Sequence, residues 1–236
     1  MILEQLFDRE SSTYTYLIAD AGLREAALVD PVLGQIDRDL QLLSELGLKL
    51  TAVLDTHVHA DHVTAAGALR SRTGANTYAS SAGAPCVDMA LGHGAVVRIG
   101  DLSITALATP GHTDDSMSYL VQGYVLTGDT LLVRGCGRAD FQNGDPGQLY
   151  DSIHGVLFRL PPESVVLPGH DYKGFTRSTI AQELAHNPRL HGKDRQAFIQ
   201  LMQTLNLPPP AKLAEAVPAN RACGNVATPS TKETHP

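Results

Sequence analysis

Four side chains able to hold a metal, His57, His59, Asp61 and His62, fall within six positions directly behind the apolar run LTAVLD at 50–55. A run this apolar and this short reads as a strand covered on both faces, so the cluster hangs from a strand end. In an extended segment alternate residues point to one side. His57 and His59 can therefore converge on one ion while Asp61 and His62 turn towards a neighbouring one. Burying this many polar groups without partners would be costly, which argues that the segment lines a site. Imidazole with carboxylate suits zinc and iron alike.

Three further positions share that context. TPGHT presents His112 behind a Pro-Gly turn, LTGDT presents Asp129 and LPGH presents His170. Each sits where a strand hands over to a loop, the usual seat of a preorganised site. His93, His154, His186, His191 and His235 lack it and read as surface or packing residues. Cys86 reads as an ordinary thiol. Cys136 and Cys223 read as buried or near the site, outside the catalytic set.

The rest of the chain supplies layers to cover that strand. TYTYLIA at 13–19 and EAALVDP at 25–31 form an opening hairpin across Asp20, Ala21 and Gly22. Apolar residues at Ile36, Leu40, Leu43 and Leu46 predict a helix over 36–48. A second helix is expected over about 62–72, stopping near Gly74, then a short strand over 76–79. Beyond Gly92, VVRIG, LSITALATP, SMSYLVQ and GYVLTGD are punctuated as antiparallel strands. Helices follow over 148–159, 176–185 and 196–205, with SVVLPGH as another strand. This order predicts two sheets packed face to face with helices outside, a four-layer αββα sandwich in one domain over 1–236. From about 207 the tail reads as irregular, and its last ten or so residues as disordered.

Charge and composition narrow the chemistry. The net charge of −7 and the dispersed Lys and Arg residues supply no field for nucleic acid. No stretch approaches the ~20 apolar residues that span a bilayer. The opening MILEQLFDRE resembles no export or transit sequence. Three cysteines without a CxxC pair suggest a reducing compartment, and the protein is expected in the cytoplasm.

Taken jointly, HxHxDH followed by His112, Asp129 and His170 resembles the metallo-β-lactamase superfamily, whose αββα fold agrees with the pattern above. In dinuclear members the matching residues make one site from His57, His59 and His112 and another from Asp61, His62 and His170, with Asp129 bridging. Three stretches, TLLVRGCGRADFQNGD, DYKGFTRSTIAQELAHNPRL and NLPPPAKLAEAVPANRACG, resemble more closely the persulfide dioxygenase family, the ethylmalonic encephalopathy protein-like group. That resemblance implies one non-haem Fe(II) per chain on His57, His112 and Asp129, with zinc the alternative metal. His59, Asp61, His62 and His170 then stand as a second metal site or as nearby polar residues. It implies that glutathione persulfide, O2 and water give sulfite and glutathione, that Arg138, Tyr172 and Arg189 hold the tripeptide, and that the chain forms a homodimer. The alternatives are a glyoxalase II-like dinuclear thioester hydrolase and a non-enzymatic metal-binding module.

Overall fold

The computed structural model describes residues 1–210 and 212–225. Its strands are β1 (Ile2–Asp8), β2 (Thr13–Asp20), β3 (Glu25–Val29), β4 (Lys49–Leu54), β5 (Asn76–Ser80), β6 (Met89–Leu91), β7 (Val96–Ile99), β8 (Leu102–Ala108), β9 (Met117–Val121), β10 (Tyr124–Gly128), β11 (Val165–Pro168) and β12 (Ser178–Thr179). Its helices are α1 (Ile36–Glu45), α2 (Ala66–Thr73), α3 (Pro146–Gly155), α4 (Ile180–His186), α5 (Arg195–Gln203) and α6 (Leu213–Arg221). The strands form two six-stranded sheets, ordered β1-β2-β3-β4-β5-β6 and β12-β11-β10-β9-β8-β7.

Three apolar clusters explain the layering. Tyr16, Ile18, Val29 and Leu54 of the first sheet meet Ile104, Met117, Tyr119 and Leu126 of the second to make the central core. Because side chains alternate along a strand, Leu17, Leu28 and Val53 point the other way, against Leu43 of α1 and Leu69 of α2. On the opposite outer face Val125 and Val166 meet Leu149 and Ile153 of α3, Ile180 of α4 and Phe198 of α5. The result is the expected αββα sandwich. β4 pairs in parallel with β3 and β5, and β10 with β11, so several strand ends open towards one edge. Met117 N donates to Thr56 O at 2.8 Å and joins the two sheets beside that edge.

Local departures have physical causes. β1 and β6 were not expected from sequence; β1 pairs with β2 over its whole length, and its half-buried pattern gives no clean alternation. The helix expected from about 62 begins only at Ala66, because Thr64 hydrogen-bonds Asp55 through its hydroxyl and bridges Val32 through its backbone. The segment 176–185 opens with β12 before α4, whose N-terminus Thr179 caps through Gln182 N.

Among the described residues the tail is irregular over 207–210 and again after α6. α6 follows despite the internal Pro218, since Ala216, Ala219 and Asn220 are buried and tertiary contact outweighs the lost backbone bond. The segment expected to be disordered lies beyond the described residues. Cys86 is no free thiol: it is bonded to Cys223 across 137 residues, a pairing that no local spacing could reveal. The odd cysteine count therefore does not speak for a reducing compartment. Among the described residues no helix is long and apolar enough to cross a membrane.

Candidate metal centre

The ends of β4, β8, β10 and β11 bring the sequence-predicted site residues together. His57 follows β4, His112 follows β8, Asp129 directly follows β10, and His170 lies two residues beyond β11. Close backbone approach is built in by glycine. Gly128 has φ +48°, and a Cβ there would lie 2.6 Å from Thr56 Oγ1. At Gly137 a Cβ would lie 2.4 Å from Asp129 O and 2.7 Å from His112 Nδ1.

Ligand-type atoms of His57, His112 and Asp129 all lie within 4.8 Å of one another, and so do those of His59, Asp61 and His62. His112 Nε2 is 3.7 Å from Asp129 Oδ2. His170 Nε2 is 3.6 Å from both Asp61 Oδ2 and Asp129 Oδ1, so it sits between the two groups. Every predicted metal-type residue is thus within one constellation.

Each imidazole is fixed from behind. His57 Nδ1 lies 3.0 Å from Thr56 Oγ1, whose hydroxyl donates to Asp30 Oδ2 at 2.9 Å. His112 Nδ1 lies 2.6 Å from the Arg138 carbonyl, and His170 Nδ1 3.1 Å from the Ser12 carbonyl. His59 Nε2 faces Asp30 Oδ1 at 3.1 Å, and His62 Nδ1 faces Asp61 Oδ2 at 2.8 Å. One nitrogen of every ring is occupied, and the other is left to face the constellation. Outer partners of this kind set the tautomer and aim of a metal-binding histidine.

Charge follows the same plan. Burial, reinforced by His59 and His112, pushes the His57 imidazole well below its ordinary value, so it is neutral and keeps a lone pair to give. Burial opposes a charged His59, but the Asp30 carboxylate outweighs it and lifts the group to about 10. Burial would raise Asp61, yet His170 and His62 hold its carboxyl well below the usual range. Burial likewise opposes the His170 cation, and Asp129 and Asp61 overcome it.

The donor set fits a cation. His59 Nδ1, His62 Nε2 and Asp129 Oδ1 are buried without a hydrogen-bond partner. Orphaned buried polar atoms are rare in native proteins; an ion on the His57, His112 and Asp129 group would satisfy Asp129 Oδ1, and His59 Nδ1 and His62 Nε2 would be left for a second one.

A cavity of about 640 Å³ opens beside these residues and is lined by His57, His112, Asp129, Arg138, Tyr172 and Arg189 among others. All three predicted substrate-holding residues therefore reach it. Their freedom differs. Arg138 grips Asp140 through Nε and Nη2, at 2.6 and 2.8 Å, and donates to the Pro208 carbonyl. Arg189 donates to the Cys136 carbonyl. Tyr172 is 71% exposed and stacks on His170 with ring centroids 5.8 Å apart.

Sequence reasoning missed Asp30, Thr56, Glu183 and Asn220. Asp30 ends the second predicted strand with φ 52°, and its carboxylate also accepts from Thr56 N. Buried Glu183 holds Arg134 N at 2.9 Å and accepts from Asn187, which also donates to Gly135 O, so α4 fixes the RGCGR turn. An acidic residue closing an apolar strand was the only local signal for Asp30.

The family model for the metallo-beta-lactamase superfamily matches residues 8–85 and 87–170. The persulfide dioxygenase ETHE1, mitochondrial, of Mus musculus is 44% identical over 233 residues, covering 98% of this chain and 91% of that protein. Its counterpart in Homo sapiens is 43% identical with the same coverage. The crystal structure of ETHE1 from Myxococcus xanthus superposes with a TM-score of 0.95 at 61% identity, covering 95% of this chain and all of that one.

Proposed function

The chain belongs to the metallo-beta-lactamase superfamily and, within it, to the persulfide dioxygenases, and from that premise we propose that one Fe(II) held by His57, His112 and Asp129 serves its reaction with glutathione persulfide and O2. The enzyme oxidises a persulfide. The observation that carries the choice of ligands is the convergence of two imidazoles and one carboxylate within 4.8 Å on a cavity wall. Two His and one carboxylate with open positions is a donor set characteristic of oxygen-using non-haem iron. When bound, such an ion supplies the one-electron steps that O2 needs to react with a closed-shell sulfur.

In the net reaction glutathione persulfide, O2 and water give glutathione and sulfite. The protein's share is positional. Thr56 and the Arg138 carbonyl occupy Nδ1 of His57 and His112, leaving Nε2 of each to a metal. Leu132, Val133, Phe141 and Leu207 give the cavity apolar walls that limit water around a reactive sulfur. Arg138, Tyr172 and Arg189 are assigned to orient the peptide, the guanidinium forks of the two arginines being suited to its carboxylates. For Arg138 that contact exchanges with, or extends, its ion pair to Asp140. A homodimer belongs to the same reading.

A glyoxalase II-like hydrolase is the second reading, favoured by the unpartnered His59 Nδ1 and His62 Nε2, which would suit a second ion. Metal analysis after anaerobic purification separates the two. The proposal expects about one iron per chain, abolished in H57A, H112A or D129A and retained in H62A. Two zinc ions per chain, both sensitive to H62A, would favour the hydrolase.

A further inference from the structure

The segment that begins at His57 and carries His59, Asp61 and His62 has little backbone pairing of its own. Residues 57–63 lie in no helix and no strand. Their carbonyls and amides are instead served from far along the chain. The Asn220 side chain in α6 is 3% exposed, and its Nδ2 donates to His59 O at 2.9 Å and to His62 O at 2.8 Å. Its Oδ1 accepts from Thr64 N at 2.8 Å. A single amide thus ties both ends of the turn that presents His59, Asp61 and His62.

Asn220 is seated by the burial of Ala216 and Ala219 and by one covalent bond close by. α6 is a short helix with an internal proline, preceded by the irregular residues 207–210 and tied at its start by the exposed Lys212–Glu10 ion pair. Three residues past Asn220, Cys223 is bonded to Cys86. The Cys86 loop is anchored in turn by Arg70, which donates to Cys86 O at 3.0 Å and pairs with Asp88. Cys223 O accepts from Gly67 N at 2.8 Å, where a Cβ on Gly67 would approach to 2.5 Å, so the C-terminal strap is closely fitted to the start of α2. Cys223 is 2% exposed and Cys86 is partly buried, so the Cys86 side of the bond is the less enclosed.

We infer that Asn220 is a positioning residue for the metal-ligand segment and that the Cys86–Cys223 disulfide keeps it seated, so that metal retention depends on the redox state of this bond. The inference rests on the reading of His57, His112 and Asp129 as ligands. Asn220, Cys86 and Cys223 are not among the residues that line the cavity. They act by limiting how far the turn can relax when the metal is absent or leaving, a preorganisation of the kind that outer partners provide. Reduction is balanced with a phosphine: the phosphine takes oxygen from water to become its oxide, the S–S bond breaks, and the two hydrogens of water end on Cys86 and Cys223.

The test loads the full chain with Fe(II) under argon and follows transfer of iron to an excess of a coloured Fe(II) chelator. N220D conserves volume but loses the donor to His59 O and His62 O. It is expected to release iron several-fold faster, because the turn that continues from His57 loses both of these backbone ties. A role in packing alone predicts release close to that of the wild type. Wild-type protein treated with a phosphine should also release iron several-fold faster, and C86S should be fast without the phosphine and indifferent to it. H57A is the control for the underlying reading: if it retains iron like the wild type, the ligand assignment fails regardless of Asn220. If H57A loses iron while N220D and reduced wild-type protein retain it within twofold of the untreated wild type, the positioning role is overturned. Should N220D fail to fold, as far-ultraviolet circular dichroism would reveal, the C86S and phosphine arms decide alone, and an equal response of C86S and wild type to phosphine counts against it.

Discussion

His112 Nδ1 lies 2.6 Å from the main-chain carbonyl of Arg138, with Gly137 packed against the same ring. The RGCGR turn therefore aims the His112 ring as well as lining the cavity. A methyl group at Gly137 would meet His112 Nδ1 at 2.7 Å and Asp129 O at 2.4 Å, and neither can retreat without moving a ligand. G137A should lower iron affinity by about 10-fold or more while the protein stays folded, as measured by anaerobic metal titration alongside circular dichroism. Wild-type affinity in G137A would show that the contact does not constrain the ring.

Arg138 separates its two roles by atom. Its carbonyl serves His112, while its guanidinium meets Asp140, Pro208 O and the cavity. R138A removes only the second. KM for glutathione persulfide should rise about 10-fold or more, the size of a lost charge-assisted contact, with iron per chain unchanged. An unchanged KM would remove Arg138 from the substrate contacts.

How much of this was legible beforehand depended on distance along the chain. His57, His59, Asp61 and His62 announce themselves because chemistry-bearing residues crowd one strand end, and PGH, TGD and PGH mark the other arrivals. The two-sheet order also followed from strand-length apolar runs and their punctuation. Asn220 could not be found that way: its value lies wholly in touching a carbonyl 158 residues away. The same holds for Cys86 and Cys223, and for Glu183 beneath the RGCGR turn. α6 was obscured by Pro218, because local propensity argues against a helix that burial of Ala216 and Ala219 sustains.

The disulfide should also matter for global stability. Closing a loop of 137 residues removes unfolded-state entropy worth about 5 kcal/mol. Reduction of the metal-free protein should lower Tm by roughly 10 °C, with no such change in C86S. Differential scanning calorimetry with and without phosphine reads this directly, and coincident melts for oxidised and reduced wild type would contradict it.

Asp88 makes a pH-dependent contribution to the loop that carries Cys86. The Thr77 backbone amide at 2.9 Å, then the Thr77 hydroxyl and Arg70, hold its carboxyl below the usual value. A folded-state value below the unfolded one means that stability is fully present above about pH 4 and is lost as pH falls through the folded value. The urea midpoint of wild type should exceed that of D88N at pH 6, and the gap should narrow as pH falls below about 4. A gap that stays constant across this range would show that the charge is not involved.

The central claim is that His57, His112 and Asp129 place one iron where a persulfide and O2 react. It is tested most directly by an oxygen electrode with sulfite assayed in the same vessel. Iron-loaded protein given glutathione persulfide should consume one O2 for each sulfite formed, and D129A should consume none above background. Hydrolysis of S-lactoylglutathione without oxygen uptake, or sulfite formation undiminished in D129A, would contradict the account.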